Sequence, residues 1–177
     1  ETMTLVEMLE KNVEHTPEKT AIIYHNIKIT YRELNDAVNK LANVLTAMGL
    51  KKGDRVAFML PRIPELVITF LSTAKAQGIA VPINFELLDD KIRAVLNNIT
   101  PRYFIVHKQF LELAKRAVPK DSEISIIVAG ENYEGEYISL KELQKGKNPD
   151  NPCPAPDKDD IVYLNYTSGS TGNPKGA

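Results

Sequence analysis

Apolar residues recur every three or four positions in several long stretches of the chain and run continuously in the short stretches between them. Leu5, Met8, Leu9 and Val13 form a first helical stripe, opened by Thr4 and Glu7 at capping-box spacing. Leu34, Ala37, Val38, Leu41, Ala42, Leu45 and Met48 form a second, opened by Thr30 and Glu33 and closed by Gly49. Further stripes follow at Ile63, Leu66, Val67, Phe70, Leu71 and Ala74, at Leu88, Ile92, Val95, Leu96 and Ile99, and at Phe110, Leu113, Ala114, Ala117 and Val118. A last short helix is expected to be capped by Ser139, with Glu142 at capping-box spacing.

The continuous runs read as strands: 55–60, 79–83, 103–106, 124–128 and 161–164. Residues 20–24 and 27–30 flank His25-Asn26 and predict an N-terminal β-hairpin. Strands alternating with helices predict an α/β fold with a mostly parallel sheet and flanking helices. Their unbroken apolar character fits strands covered on both faces. The expected organisation is an α/β subdomain over 1–145, a proline-rich linker or surface loop over 146–160, and a strand with a loop over 161–177.

Composition narrows the function classes. The 177 residues are 43% hydrophobic and 25% charged, enough to bury a core. A net charge of −1 provides no overall field for nucleic acid or anionic lipid. Cys153 is the single cysteine, which excludes an internal disulfide, favours a cytoplasmic setting and reads as an incidental thiol in the linker. The apolar stretch from Leu66 to Ile83 is interrupted by Lys75 and Gln77, so no membrane span is expected. A start at Glu1, with no signal-peptide pattern, and an end just after a glycine suggest a piece of a longer protein.

The chemistry concentrates at the end, in YTSGSTGNPKGA, Tyr166 to Ala177. Thr167, Ser168, Ser170 and Thr171 supply hydroxyls, and Gly169 and Gly172 let backbone approach a ligand closely. Successive N–H groups in such turns make a concave anion site, and Lys175 adds a positive charge. Hydroxyl donors to a phosphate oxygen are charge-assisted, so the set suits a polyphosphate. It is not the familiar P-loop, which needs lysine followed by serine or threonine and opens a helix. Pro174 lacks an N–H and biases Asn173 toward extended geometry, which predicts strand–loop–strand. Composition alone leaves a flexible Ser/Gly/Thr linker as the other reading.

This segment resembles, at every position, the phosphate-binding signature of the adenylate-forming (AMP-binding) superfamily, which includes acyl- and aryl-CoA synthetases and peptide-synthetase adenylation domains. Thr30-Tyr31-Arg32-Glu33-Leu34, Gly53-Asp54-Arg55-Val56-Ala57 and the run from Gly78 to Asn84 resemble further segments of that family. The resemblance implies a partial N-terminal lobe of the adenylate-forming fold. It implies an acid–thiol ligase in the full-length protein, with a role such as fatty acid metabolism. A carboxylic acid and Mg²⁺-ATP would give acyl-AMP, and CoA or a carrier-protein phosphopantetheine would take the acyl group. Thr167, Ser168, Gly169, Ser170, Thr171, Gly172 and Lys175 would then contact the β- and γ-phosphates, with Thr167 as a Mg²⁺ ligand. The family's later motifs are not among these residues, so the chain alone is expected to be catalytically incomplete.

Other candidates carry blander readings. His15, His25 and His107 lack metal or triad spacing and read as surface or loop histidines. Asp89 or Asp90 is expected to cap the helix that follows. Residues 131–136 read as a solvated acidic turn, Lys51-Lys52 as a basic surface turn, and 61–65 as a helix start beside a possible ligand edge. A non-catalytic nucleotide-binding module on the same scaffold is the alternative from another class.

Overall fold

A computed structural model describes residues 3–152, 154–167 and 175–176. The chain opens with helix α1 (Leu5–His15), whose Thr4 capping box is fully formed: Thr4 Oγ1 accepts from Glu7 N, and Glu7 Oε2 accepts from Thr4 N. Strands β1 (Thr20–Tyr24) and β2 (Ile27–Thr30) pair antiparallel as the expected hairpin. His25 takes the left-handed conformation, φ +50°, that the tight turn requires. Thr30 then caps α2 (Tyr31–Ala47) through a second complete box.

From there the chain alternates β3 (Arg55–Met59), α3 (Pro64–Lys75), β4 (Ile79–Pro82), α4 (Asp89–Ile99), β5 (Tyr103–His107), α5 (Leu111–Ala117) and β6 (Ser125–Ala129). A short strand β7 (Ile138–Ser139) and helix α6 (Leu140–Gln144) follow. The five strands form one parallel sheet in the order β4-β3-β5-β6-β7. This is the α/β architecture expected from the alternating pattern.

Because successive strand residues point to opposite faces, the apolar runs build two cores. Val56, Phe58, Ile105 and Ile127 join Leu9 of α1, Val38, Leu41 and Leu45 of α2, and Leu140 of α6. Ala57, Met59, Phe104, Val106 and Val128 join Ile92, Val95 and Leu96 of α4 and Ala114 and Ala117 of α5. The sheet is therefore covered on both sides, which is why its strands carry no polar alternation.

Four local expectations need correction. Leu88 occupies the N-cap of α4 and no side chain caps it; Asp89 and Asp90 lie inside the first turn, where their charge still favours the helix dipole. Ser139 holds the N-cap of α6 but its side chain accepts no capping bond. Strand β7 was not expected, because two residues carry no periodicity. The strand expected over 161–164 shrinks to one parallel bridge between Ala80 and Tyr163. It lies at an uncovered sheet edge, with Ile161 67% and Tyr163 43% exposed, so little burial rewards longer pairing.

Candidate functional site

The strand order changes direction at β3: the chain first adds β4 on one side, then β5 on the other. Ligands of open α/β sheets bind in the crevice at the carboxyl ends of strands flanking such a switch. Here that edge gathers residues distant in sequence. Phe85, beyond β4, stacks on Phe110 with ring centroids 4.4 Å apart, and His107 at the end of β5 meets Phe110 edge-on at 6.4 Å. His107 Nδ1 accepts from Gln109 N at 3.4 Å, so the neutral ring carries its proton on Nε2. Burial, then the charge of Lys108, pushes the His107 pKa down, against an opposing pull from Glu65. A Cβ on Gly130 would stand 3.2 Å from His107 Nε2 and 3.1 Å from Lys108 Cγ, and its φ of +124° suits glycine alone. Lys108 Nζ donates to Glu131 O at 2.6 Å and ties the β5 and β6 ends together.

The segment that leads to the signature is held along the other side of the sheet. Asn39 Nδ2 donates to Pro149 O at 2.7 Å, and Asn43 Nδ2 donates to Asn148 O at 3.1 Å and Asp150 O at 2.9 Å. Gln77 Nε2 donates to Ala155 O at 3.2 Å. Lys52 pairs with Asp160 at 2.6 Å, which holds the Asp160 carboxyl below the usual range and raises the lysine. Ala80 N then donates to Val162 O at 2.9 Å, and Leu164 N to Ala80 O at 3.0 Å. This parallel bridge lays the chain against β4. Leu164 and Tyr166 pack on the core beneath α4, and the Tyr166 hydroxyl meets the Asn98 side chain.

Strand β8 (Tyr166–Thr167) pairs antiparallel with β9 (Lys175–Gly176), Thr167 opposite Lys175 and Tyr166 opposite Gly176. The strand–loop–strand frame argued from Pro174 is thus present at both described ends. Of the expected site residues, the backbones of Thr167 and Lys175 are brought together; Ser168, Gly169, Ser170, Thr171 and Gly172 lie outside the described residues, as does Cys153. Among the described residues no three His, Cys, Asp or Glu side chains converge as a metal cage, and no helix is long and apolar enough to cross a membrane.

Sequence reasoning passed over two features. His107 reads as a loop histidine; its ring neighbour Phe110 stacks in turn on Phe85, which comes from a separate crossover that no spacing connects. Lys75 looked like an interruption in an apolar helix, yet it is buried, 1% exposed, among polar partners from three other segments. A lysine on the apolar stripe of a helix was the available signal.

Comparison with known proteins supplies the family. The profile described as "AMP-binding enzyme" matches residues 9–177. The chain is 32% identical over 187 residues to surfactin synthase subunit 2 of Bacillus subtilis (strain 168), covering 99% of this chain and 4% of that protein. Among solved structures, an anthranilate CoA ligase, AuaEII, in complex with anthranoyl-AMP superposes with a TM-score of 0.88 at 30% identity, covering 97% of this chain and 33% of the ligase. The inhibitor-bound N-terminal domain of FACL13 from Mycobacterium tuberculosis superposes with a TM-score of 0.86 at 28% identity, covering 99% and 44%. The chain thus spans a third to under half of these structures and a few per cent of the surfactin synthase subunit.

Proposed function

The chain belongs to the AMP-binding enzyme family, and from that premise we propose that it carries the ATP-phosphate loop of an enzyme that activates a carboxylic acid as its acyl-adenylate. In the whole protein a carboxylate oxygen bonds to the α-phosphorus of ATP while the bond to the β-phosphate oxygen breaks, releasing pyrophosphate. Thr167, Ser168, Gly169, Ser170, Thr171, Gly172 and Lys175 hold the β- and γ-phosphates and neutralise the charge that develops on the leaving group. Mg²⁺, with Thr167 as one ligand, supplies further charge neutralisation when bound. The antiparallel pairing of Thr167 with Lys175 supports this reading, because it brings a hydroxyl-bearing and an ammonium-bearing position of the signature opposite one another.

CoA is the proposed acceptor of the acyl group. The superposition on a CoA ligase over 97% of the chain supports it. The 32% identity to a surfactin synthase subunit favours a second acceptor, a carrier-protein phosphopantetheine. The 177 residues alone, lacking the family's later motifs, form no acyl-AMP.

The full-length protein, supplied with ATP and a panel of aliphatic and aromatic acids, is expected to exchange pyrophosphate only with a cognate acid, and to form its thioester with CoA. Lys175→Ala should raise the KM for ATP by about tenfold, the equivalent of one lost charge-assisted contact. ATP binding with no acyl-AMP from any acid would instead identify a non-catalytic nucleotide module. Thioester on a carrier protein but not on CoA would assign the second acceptor.

A further inference from the structure

Lys75, the last residue of α3, has its ammonium group surrounded by oxygen acceptors. Its Nζ lies 2.8 Å from Asn35 Oδ1, 2.8 Å from Asn39 Oδ1, 2.9 Å from Asn151 Oδ1 and 2.9 Å from Glu10 Oε1. An ammonium has three hydrogens, so these four oxygens saturate it with one bond shared. The partners come from α1, α2 and the segment beyond α6. Burial pushes the lysine's pKa down while the bond to Glu10 pulls it back up.

Stability alone gives no reason for a cation in this place. An apolar side chain of similar volume in a buried site is often as stable as a buried ion pair, or more so. What the cation does here that an apolar group could not is hold a polar, exposed stretch of chain. Residues 148–151 have no apolar anchor of their own. Asn35, Asn39 and Asn43 recur every four residues along one face of α2. The two further along grip the stretch by its carbonyls. Asn151 Oδ1 completes the junction, accepting from Lys75 Nζ and, at 2.8 Å, from Asn39 Nδ2. Downstream, the same strand of chain continues through the Lys52–Asp160 pair and the Ala80 bridge into Thr167.

We propose that Lys75, with Asn35, Asn39 and Asn151, is a positioning clasp that holds residues 148–151 against α2 and α3 and so sets the path by which the chain enters the phosphate loop. The clasp rests on the function proposed for that loop. Lys75 does not touch ATP; it acts through the segment it holds.

The test uses the full-length protein and the exposed Asn151, whose replacement leaves both cores intact. Asn151→Leu removes the shared acceptor. It should raise hydrogen–deuterium exchange over 146–167 without changing exchange in β3 and β5. In carboxylate-dependent pyrophosphate exchange it should raise the KM for ATP about tenfold, with kcat within about twofold, as expected when only binding is lost. Asn151→Asp keeps an oxygen for both donors and should restore both readouts, which a general loss of stability would not allow. The clasp is overturned if Asn151→Leu leaves exchange over 146–167 unchanged, if it frees the segment without moving the KM for ATP, or if Asn151→Asp behaves like Asn151→Leu. A wild-type protein that exchanges no pyrophosphate with any acid overturns the function proposed above and the clasp's role with it; a wild type that exchanges, with Asn151→Leu unaltered, overturns the clasp alone.

Discussion

The parallel sheet and the segment from 148 to 164 are held in place by different physics. Phe104, Ile105 and Val106 of β5 are fully buried, sandwiched between α2 and α3 on one face and α4 and α5 on the other. Their placement follows from non-directional burial of apolar area, spread over many contacts. Among the described residues of the segment none is fully buried, and Leu164 at its end packs on the core. The segment is fixed by a handful of directed bonds from Asn39, Asn43, Lys75, Gln77 and Lys52. A region of the first kind fails as a whole; one of the second kind can come loose alone. The expected phosphate loop hangs from the second kind of region, beside the first.

The largest expected effect breaks the first region. Phe104→Ala should cost about 3–5 kcal/mol, the range for an aromatic emptied from a packed core. Urea unfolding should show an earlier midpoint with an unchanged slope, and the segment should be lost together with the sheet. A loss under about 1 kcal/mol would mean that the two cores are not packed as described.

A smaller effect separates the regions. Asn43→Ala removes two bonds to Asn148 and Asp150 and should cost about 1 kcal/mol, felt locally. Proteolysis within 146–160 should accelerate while the urea midpoint barely moves. An equal shift of both would show that segment and sheet unfold as one unit.

The smallest effect is a pH dependence confined to the sheet's carboxyl edge. The folded state holds His107 below its ordinary pKa of 6.5. Between the folded value and 6.5 the unfolded chain therefore binds more protons. Stability is fully present above about pH 6.5 and is lost as the pH falls from there toward the folded value. His107→Gln should flatten the urea midpoint in that window; an unchanged dependence would put its origin elsewhere.

Much of the architecture was legible in advance. Both capping boxes, the hairpin and the five principal helices depend on residues within a few positions of one another. Pro174 supported the strand–loop–strand frame for the same reason, since its effect on Asn173 is local. The misses share a different character. Asp89 and Asp90 could either cap a helix or sit in its first turn, and residue type does not separate the two. The pairing of 161–164 turned on how much of a sheet edge would be covered. The group of His107, Phe85, Phe110 and Gly130 exists only because separate crossovers return to one edge.

Lys75 draws the line most clearly. Periodicity put it on an apolar helix and composition marked it as charged; both are facts about neighbours along the chain. Whether a cation can be buried there depends on acceptors 36, 40 and 76 residues away in sequence. The capping boxes, the hairpin and the principal helices rest on short-range sterics and hydrogen bonding, so the order of residues suffices to specify them. The buried charge, the docked segment and the clustered carboxyl edge rest on desolvation offset by distant partners, and only the folded chain brings those partners within reach.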